Sequence, residues 1–142
     1  MAWGMLQLPG RDHEYSVYAK EAYYRGPGAR IRRFSYRVDG FISVWASYQG
    51  GELLTPPLLF DGERLVLNFS TSNRGSIRVE IQDAQGSPLP GFGLEACRQL
   101  RGDEVEAVVR WSEGSSLNQI GSNPVRLRFR IQDADLYSLK FR

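Results

Sequence analysis

Fifty residues apart, this chain writes nearly the same strand twice. Arg78-Val79-Glu80-Ile81-Gln82-Asp83-Ala84 returns as Arg128-Phe129-Arg130-Ile131-Gln132-Asp133-Ala134. In both copies apolar residues alternate with long polar or charged ones, and an Asp ends the run. A period of two describes a strand with one face in a core and the other in water. Two such strands, each closed by an Asp-containing turn, predict a β-sandwich.

The alternation extends along most of the chain. Tyr15, Val17 and Ala19 share one side of a first strand, while Arg30 to Arg37 alternates without a clear inner face. Ile42, Val44 and Ala46 fall together against Phe41, Ser43, Trp45 and Ser47. Leu65, Leu67 and Phe69 follow, then Val105, Ala107, Val109 and Trp111, then Val125 to Ile131, then Tyr137, Leu139 and Phe141. Turn formers stand between them, among them Asp39-Gly40, Gly50-Gly51, Asp61-Gly62, Gln85-Gly86 and Gly102-Asp103. Short strands so spaced, about 8–12 residues apart, indicate a sandwich or barrel. Pro56-Pro57 makes the stretch from Glu52 to Phe60 an edge or kinked strand. Only Leu94 to Leu100 and Ser115 to Ile120 read as single helical turns.

Near Asp39-Gly40 the pattern changes. Before it tyrosines and arginines crowd without a core face; after it the alternation is clean. The predicted fold is therefore all-β: an antiparallel, jelly-roll-like β-sandwich over residues 40–142, with an N-terminal β-ribbon over residues 1–39.

Composition narrows the chemistry. A single Cys97 forbids an internal disulfide, and a single His13 forbids a multi-histidine metal site. No apolar run approaches the roughly 18 residues of a membrane helix. Met1 to Met5 lacks the basic head and apolar stretch of a secretory signal, so export is not expected to be encoded in these residues. Net charge is only +2, yet sixteen of the eighteen basic residues are Arg. That excess suits bidentate pairing with carboxylates or phosphates and equally a GC-rich genome.

The Asp39-Gly40 boundary also carries a family resemblance. Arg33-Phe34-Ser35-Tyr36-Arg37-Val38-Asp39-Gly40-Phe41-Ile42-Ser43-Val44 resembles a junction in bacterial proteins related to glycoside hydrolases. There a five-bladed propeller of the family 32/43 kind ends and a C-terminal β-sandwich begins. The resemblance continues through Leu54-Thr55-Pro56-Pro57-Leu58, Gly75-Ser76-Ile77-Arg78-Val79-Glu80-Ile81, Pro90-Gly91-Phe92 and Arg101-Gly102-Asp103. It closes on Pro124-Val125-Arg126-Leu127-Arg128-Phe129 and Asp133-Ala134-Asp135-Leu136-Tyr137. It implies that residues 1–39 match the last propeller strands and that the catalytic carboxylates lie upstream. The chain is then expected to be non-catalytic, an accessory module beside a propeller. If the intact protein is an exported carbohydrate-active one, its place is extracellular or periplasmic.

Sugar binding on a sandwich needs an open aromatic ring for the apolar face of a pyranose and polar groups for its hydroxyls. Trp45 fits that need, with Ser43 and Ser47 leaving the indole uncovered; Tyr48, with Gln49 and Glu52, extends the platform near the turn. Trp111 is expected in the core, Trp3 as a cap on propeller strands, and Tyr23-Tyr24-Arg25 as a packed cluster or a ligand contact. Asp133 and Asp135 flank Ala134 and are the candidates for a structural calcium; no other cofactor is expected.

The expected partner is a polysaccharide or oligosaccharide. The outward arginines Arg78, Arg110, Arg126, Arg128 and Arg130 suggest a basic stripe. But Glu80 and Glu106 alternate among them, which points to cross-strand ion pairs, and no phosphate loop or RNP-like motif argues for nucleic acid. The competing expectation is a purely structural domain that braces a propeller or self-associates as a homo-oligomer, without ligand and without a membrane.

Overall fold

The computed structural model describes residues 4–24, 26–112 and 115–142. The chain divides into two compact units, Met1–Phe41 and Ile42–Arg142.

The first unit is a ribbon. Strand β1 (Glu14–Glu21) pairs antiparallel with β2 (Arg30–Arg37), in register from Glu14 opposite Arg37 to Glu21 opposite Arg30. Leu6 bridges to the other edge of β1 through a pair of backbone bonds with Ser16, 2.9 and 2.7 Å. Ser16 is fully buried, and its hydroxyl accepts the Arg33 Nε–H at 2.9 Å. No apolar side chain among the described residues of this unit is fully buried. Ion pairs flank its backbone ladder: Glu21 holds Arg30 and Arg32 at 2.7 and 2.8 Å, and Glu14 holds Arg11 and Arg33.

The second unit is built on two long strands. It comprises β3 (Val44–Ala46), β4 (Gly51–Leu54), β5 (Leu65–Asp83), β6 (Asp103–Val108) and β7 (Val125–Phe141). All pairings are antiparallel, in the order β3-β7-β5-β6, with β4 also on β7. The two echoing segments are direct neighbours: Arg78 lies opposite Arg130, Val79 opposite Phe129 and Glu80 opposite Arg128. Their apolar residues therefore stack side by side, and Val79, Ile81, Leu127, Phe129 and Ile131 form the centre of the core. Leu65, Leu67, Phe69 and Ile77 complete it along β5. The molecule is thus all-β and antiparallel, a sandwich-like unit following a two-stranded ribbon.

Two irregularities interrupt the register between β5 and β7, a small one between Asn68 and Phe69 and a larger one at Asp133. The register between them breaks from Thr71 to Ser76, opposite Asp133, whose φ is +44°. On β7 the inward positions are odd up to Ile131 and then even at Ala134 and Leu136. An extra residue in a strand turns the side-chain sequence over, because the period is two. β4 pairs with β7 before the break and β3 after it.

Four expectations change here. Asp133 does not end its strand in a turn: β7 runs on to Phe141. Its counterpart Asp83 does close β5, its Oδ1 accepting the N–H groups of Gln85 and Ser87 at 2.9 and 2.8 Å. Glu80 and Gln82, on the face expected to be outward, are 5% and 6% exposed, and Glu80 accepts the Leu94 N–H. Ile42 and Val44 do not enter the core; Ile42 is 84% exposed, and only Ala46 of that trio packs on it. Leu94 to Leu100 forms no regular helix: it keeps one turn, the Gly93 carbonyl accepting the Ala96 and Cys97 N–H groups at 3.1 Å, and then meets β5 where Leu100 bridges Ile77, whereas Leu117–Gln119 is a 3-10 turn within the expected segment. After β4 the two prolines suspend pairing, which resumes at Leu58 opposite Val125.

Candidate functional site

Strand β3 lies at an edge of the sheet, and a tight turn beyond Ser47 keeps it short. Gly50, at φ +81°, closes that turn, in which the Ser47 carbonyl accepts the N–H of Gly50 at 2.9 Å. The same carbonyl accepts the Asp133 N–H at 2.9 Å, and Gln132 Nε2 donates to the Tyr48 carbonyl at 3.0 Å. The turn is thus fastened by its backbone to an irregular point of β7. That leaves the Tyr48 ring free, 72% exposed, with the Gln49 side chain exposed beside it in sequence.

Within β3, Ala46 faces Ala134 on the core side, so Trp45 faces outward opposite Asp135. The indole is 63% exposed. Ser43 donates its hydroxyl to Asp135 Oδ1 at 2.6 Å, so a hydroxyl from the segment of Trp45 meets the carboxylate of its strand partner. Ser47 is half-buried, and its Oγ accepts the Gln49 N–H at 3.3 Å, so it shapes the turn. Ser43, Trp45 and Asp135 are therefore assembled on one face, while Ser47, Tyr48 and Gln49 belong to the adjoining turn.

Asp133 and Asp135 divide between two tasks. Asp133 forms the larger irregularity in β7, and Asp135 is bonded to Ser43. Among the described residues no three His, Cys, Asp or Glu side chains gather as a metal site. Where carboxyls are perturbed, neighbouring cations are the cause. Arg11 and Arg33 hold Glu14 below the usual range, Arg30 and Arg32 hold Glu21, Arg128 holds Glu52, and Lys140 and Arg142 hold Glu106. A carboxyl so held is an ionised structural partner and not a proton donor at neutral pH. Burial pushes the Cys97 thiol up, and its sulfur accepts the Val79 N–H at 3.3 Å, which suits a packed core residue and not a nucleophile.

The expected basic stripe is largely consumed. Arg128 bonds Glu52 at 2.7 Å and Glu80 at 3.3 Å, Arg78 bonds Glu95 at 3.0 Å, and Arg126 Nε donates to the Thr55 carbonyl at 3.3 Å. Trp111 is half-buried, edge-on to Phe92, and donates its Nε1–H to the Val79 carbonyl at 2.9 Å. Tyr23 and Tyr24 meet edge to face, with Lys20 Nζ 4.4 Å from the Tyr23 ring centre. Trp3 and Arg25 lie outside the described residues.

Sequence periodicity passed over one feature. A groove of about 310 Å³ lies where Leu100 and β6 meet, lined by Arg98, Arg101, Arg110 and Glu104. A second, of about 500 Å³, adjoins it through Arg98 and Arg110 and adds Arg64 and Trp111. Comparison with family models, curated proteins and solved structures finds no match for this chain, so the reading of the site rests on its own residues.

Proposed function

We propose that this chain is a non-catalytic accessory module that binds glycan by stacking a sugar ring on Trp45. The observation that carries this reading is the 63% exposed indole on the outward face of an edge strand, with the Ser43–Asp135 pair beside it. An isolated exposed tryptophan forfeits the stabilisation of burial, and a pyranose face recovers part of it. Tyr48 and Gln49 extend the contact from a turn whose backbone is fixed. The junction motifs from Arg33 to Val44 support the accessory role beside a propeller.

Affinity gel electrophoresis against neutral and acidic polysaccharides tests this. Retardation by at least one glycan is expected, and Trp45→Ala should abolish retardation by a neutral one. Because the side chain is exposed, that variant should melt within a few tenths of a kcal/mol of the parent. A fall in melting temperature with unchanged retention would sink the reading.

A second reading has its own support. Ile31, Ile42 and Leu59 are each more than two-thirds exposed, and the ribbon buries no apolar side chain among its described residues. Both facts suit a structural domain that docks on a propeller or on a second copy of itself. Light scattering after size exclusion separates the two: a ligand-free dimer that binds no glycan in the panel would favour the structural role.

A further inference from the structure

We propose that the groove of Arg98, Arg101 and Arg110 is a second glycan subsite, one that takes the carboxylates of an acidic polysaccharide. It rests on the carbohydrate reading for the sugar part of the ligand, but it does not involve Trp45.

Arg30, Arg32, Arg33, Arg78, Arg128 and Arg142 each hold a carboxylate. Arg98, Arg110 and Arg64 hold none among the described residues, and Arg101 bonds the neutral Gln99 amide, at 3.3 Å. Arg74, Arg126 and Arg130 also hold no carboxylate among the described residues and line neither groove, but the other four gather at one place. The Arg98 N–H donates to the Arg110 carbonyl at 2.8 Å, so the two side chains leave adjacent points of paired backbone. Both line the 310 Å³ groove with Arg101 and the 500 Å³ groove with Arg64. Among the described residues Glu104 and Glu63 line the grooves without an ion pair to these arginines; like charges gathered so repel, and a bound anion relieves it. A guanidinium is a planar fork that matches a carboxylate with two parallel bonds.

The surroundings favour a uronate chain over a nucleic acid. Glu104 and Glu63 stand among the groove residues, and the whole molecule carries only +2, so no broad positive field tracks a closely spaced phosphate backbone. Ser112, Ser115 and Ser116 line the larger groove with Trp111; the Ser112 and Ser115 hydroxyls donate to the Ala96 and Gly91 carbonyls and keep lone pairs to accept from sugar hydroxyls.

The test uses the full chain, with polygalacturonate, alginate and hyaluronan as probes, a neutral glucan as control and a single-stranded oligonucleotide as competitor. At least one acidic polymer should retard the parent, and added salt should weaken the effect. Arg98→Gln with Arg110→Gln should weaken that binding about tenfold or more for each arginine lost, leaving neutral-glycan retention unchanged. Arg98→Lys with Arg110→Lys should recover only part, since the charge returns without the fork. No retention by any of the three acidic polymers overturns the proposal. So does retention unaffected by the glutamine pair, or tighter binding of the oligonucleotide. If Trp45→Ala abolishes neutral-glycan binding while the glutamine pair changes nothing, this inference fails and the Trp45 reading stands; the reverse pattern fails the Trp45 reading alone.

Discussion

Gly75 carries more of this fold than its size suggests. A Cβ at that position would lie 2.2 Å from the Asp133 carbonyl oxygen and 2.9 Å from that of Gln132. Those atoms are backbone and cannot swing aside, so β5 would have to withdraw from β7 at a point where their register changes. Gly75→Ala is expected to cost about 2–4 kcal/mol, the scale of severe overpacking, read as a lower urea midpoint. An unchanged midpoint would mean that the crossing is looser than its geometry. Trp45 stands at the opposite extreme, a large side chain whose loss should cost almost no stability. The two residues together separate what holds the fold from what the fold presents.

At the scale of elements, the ribbon and the long strand pair are held by different forces. β1 and β2 rely on Glu14 and Glu21, both kept below the ordinary carboxylate range by arginines. A carboxyl whose folded value lies below its unfolded one contributes stability above the unfolded value and loses it as pH falls through the folded one. The amides of β1 and β2 should therefore lose hydrogen-exchange protection as pH drops below the usual glutamate range, and earlier in high salt. The amides of β5 and β7 should keep theirs, because their core is apolar. Equal loss in both would show that the ribbon does not depend on these pairs. The same contrast explains what was legible in the sequence. Where apolar burial decides the structure, as at Val79, Ile81, Leu127 and Phe129, alternation announces strand, face and core together. It could not announce that the two echoing strands pair with each other, nor that Asp133 would turn β7 over instead of ending it. Glu80 is buried by the backbone of Leu94, which lies in a segment without periodicity. The arginine groove escaped for a like reason: Arg98 sits in that segment, and a backbone bond to Arg110 brings the two residues together. The outward direction of Trp45 was legible from its alternation with Ile42, Val44 and Ala46, although of these only Ala46 reaches the core.

For the molecule as a whole, every fully buried apolar side chain among the described residues lies in the second unit, from Leu65 onward. A two-stranded ribbon alone is marginal in water. Limited proteolysis should cut first within residues 1–41 and leave a resistant product beginning near Ile42, with little change in melting temperature. Resistance of the ribbon comparable to that of the core would indicate a docking partner, for which a second copy is the simplest source. A different consequence comes from the place of β7 in the sheet. This 17-residue strand lies between β5 and the two short strands β3 and β4, yet it is the last element in the chain order. Its partner β5 is made some forty residues earlier, so the central pairing is of the slow, non-local kind. During synthesis β5 must leave the ribosome with its apolar face bare and wait for Val125–Phe141 to emerge. Until then a chaperone is the natural cover for Leu65, Leu67 and Phe69, and the yield of folded protein will depend on how long that wait lasts.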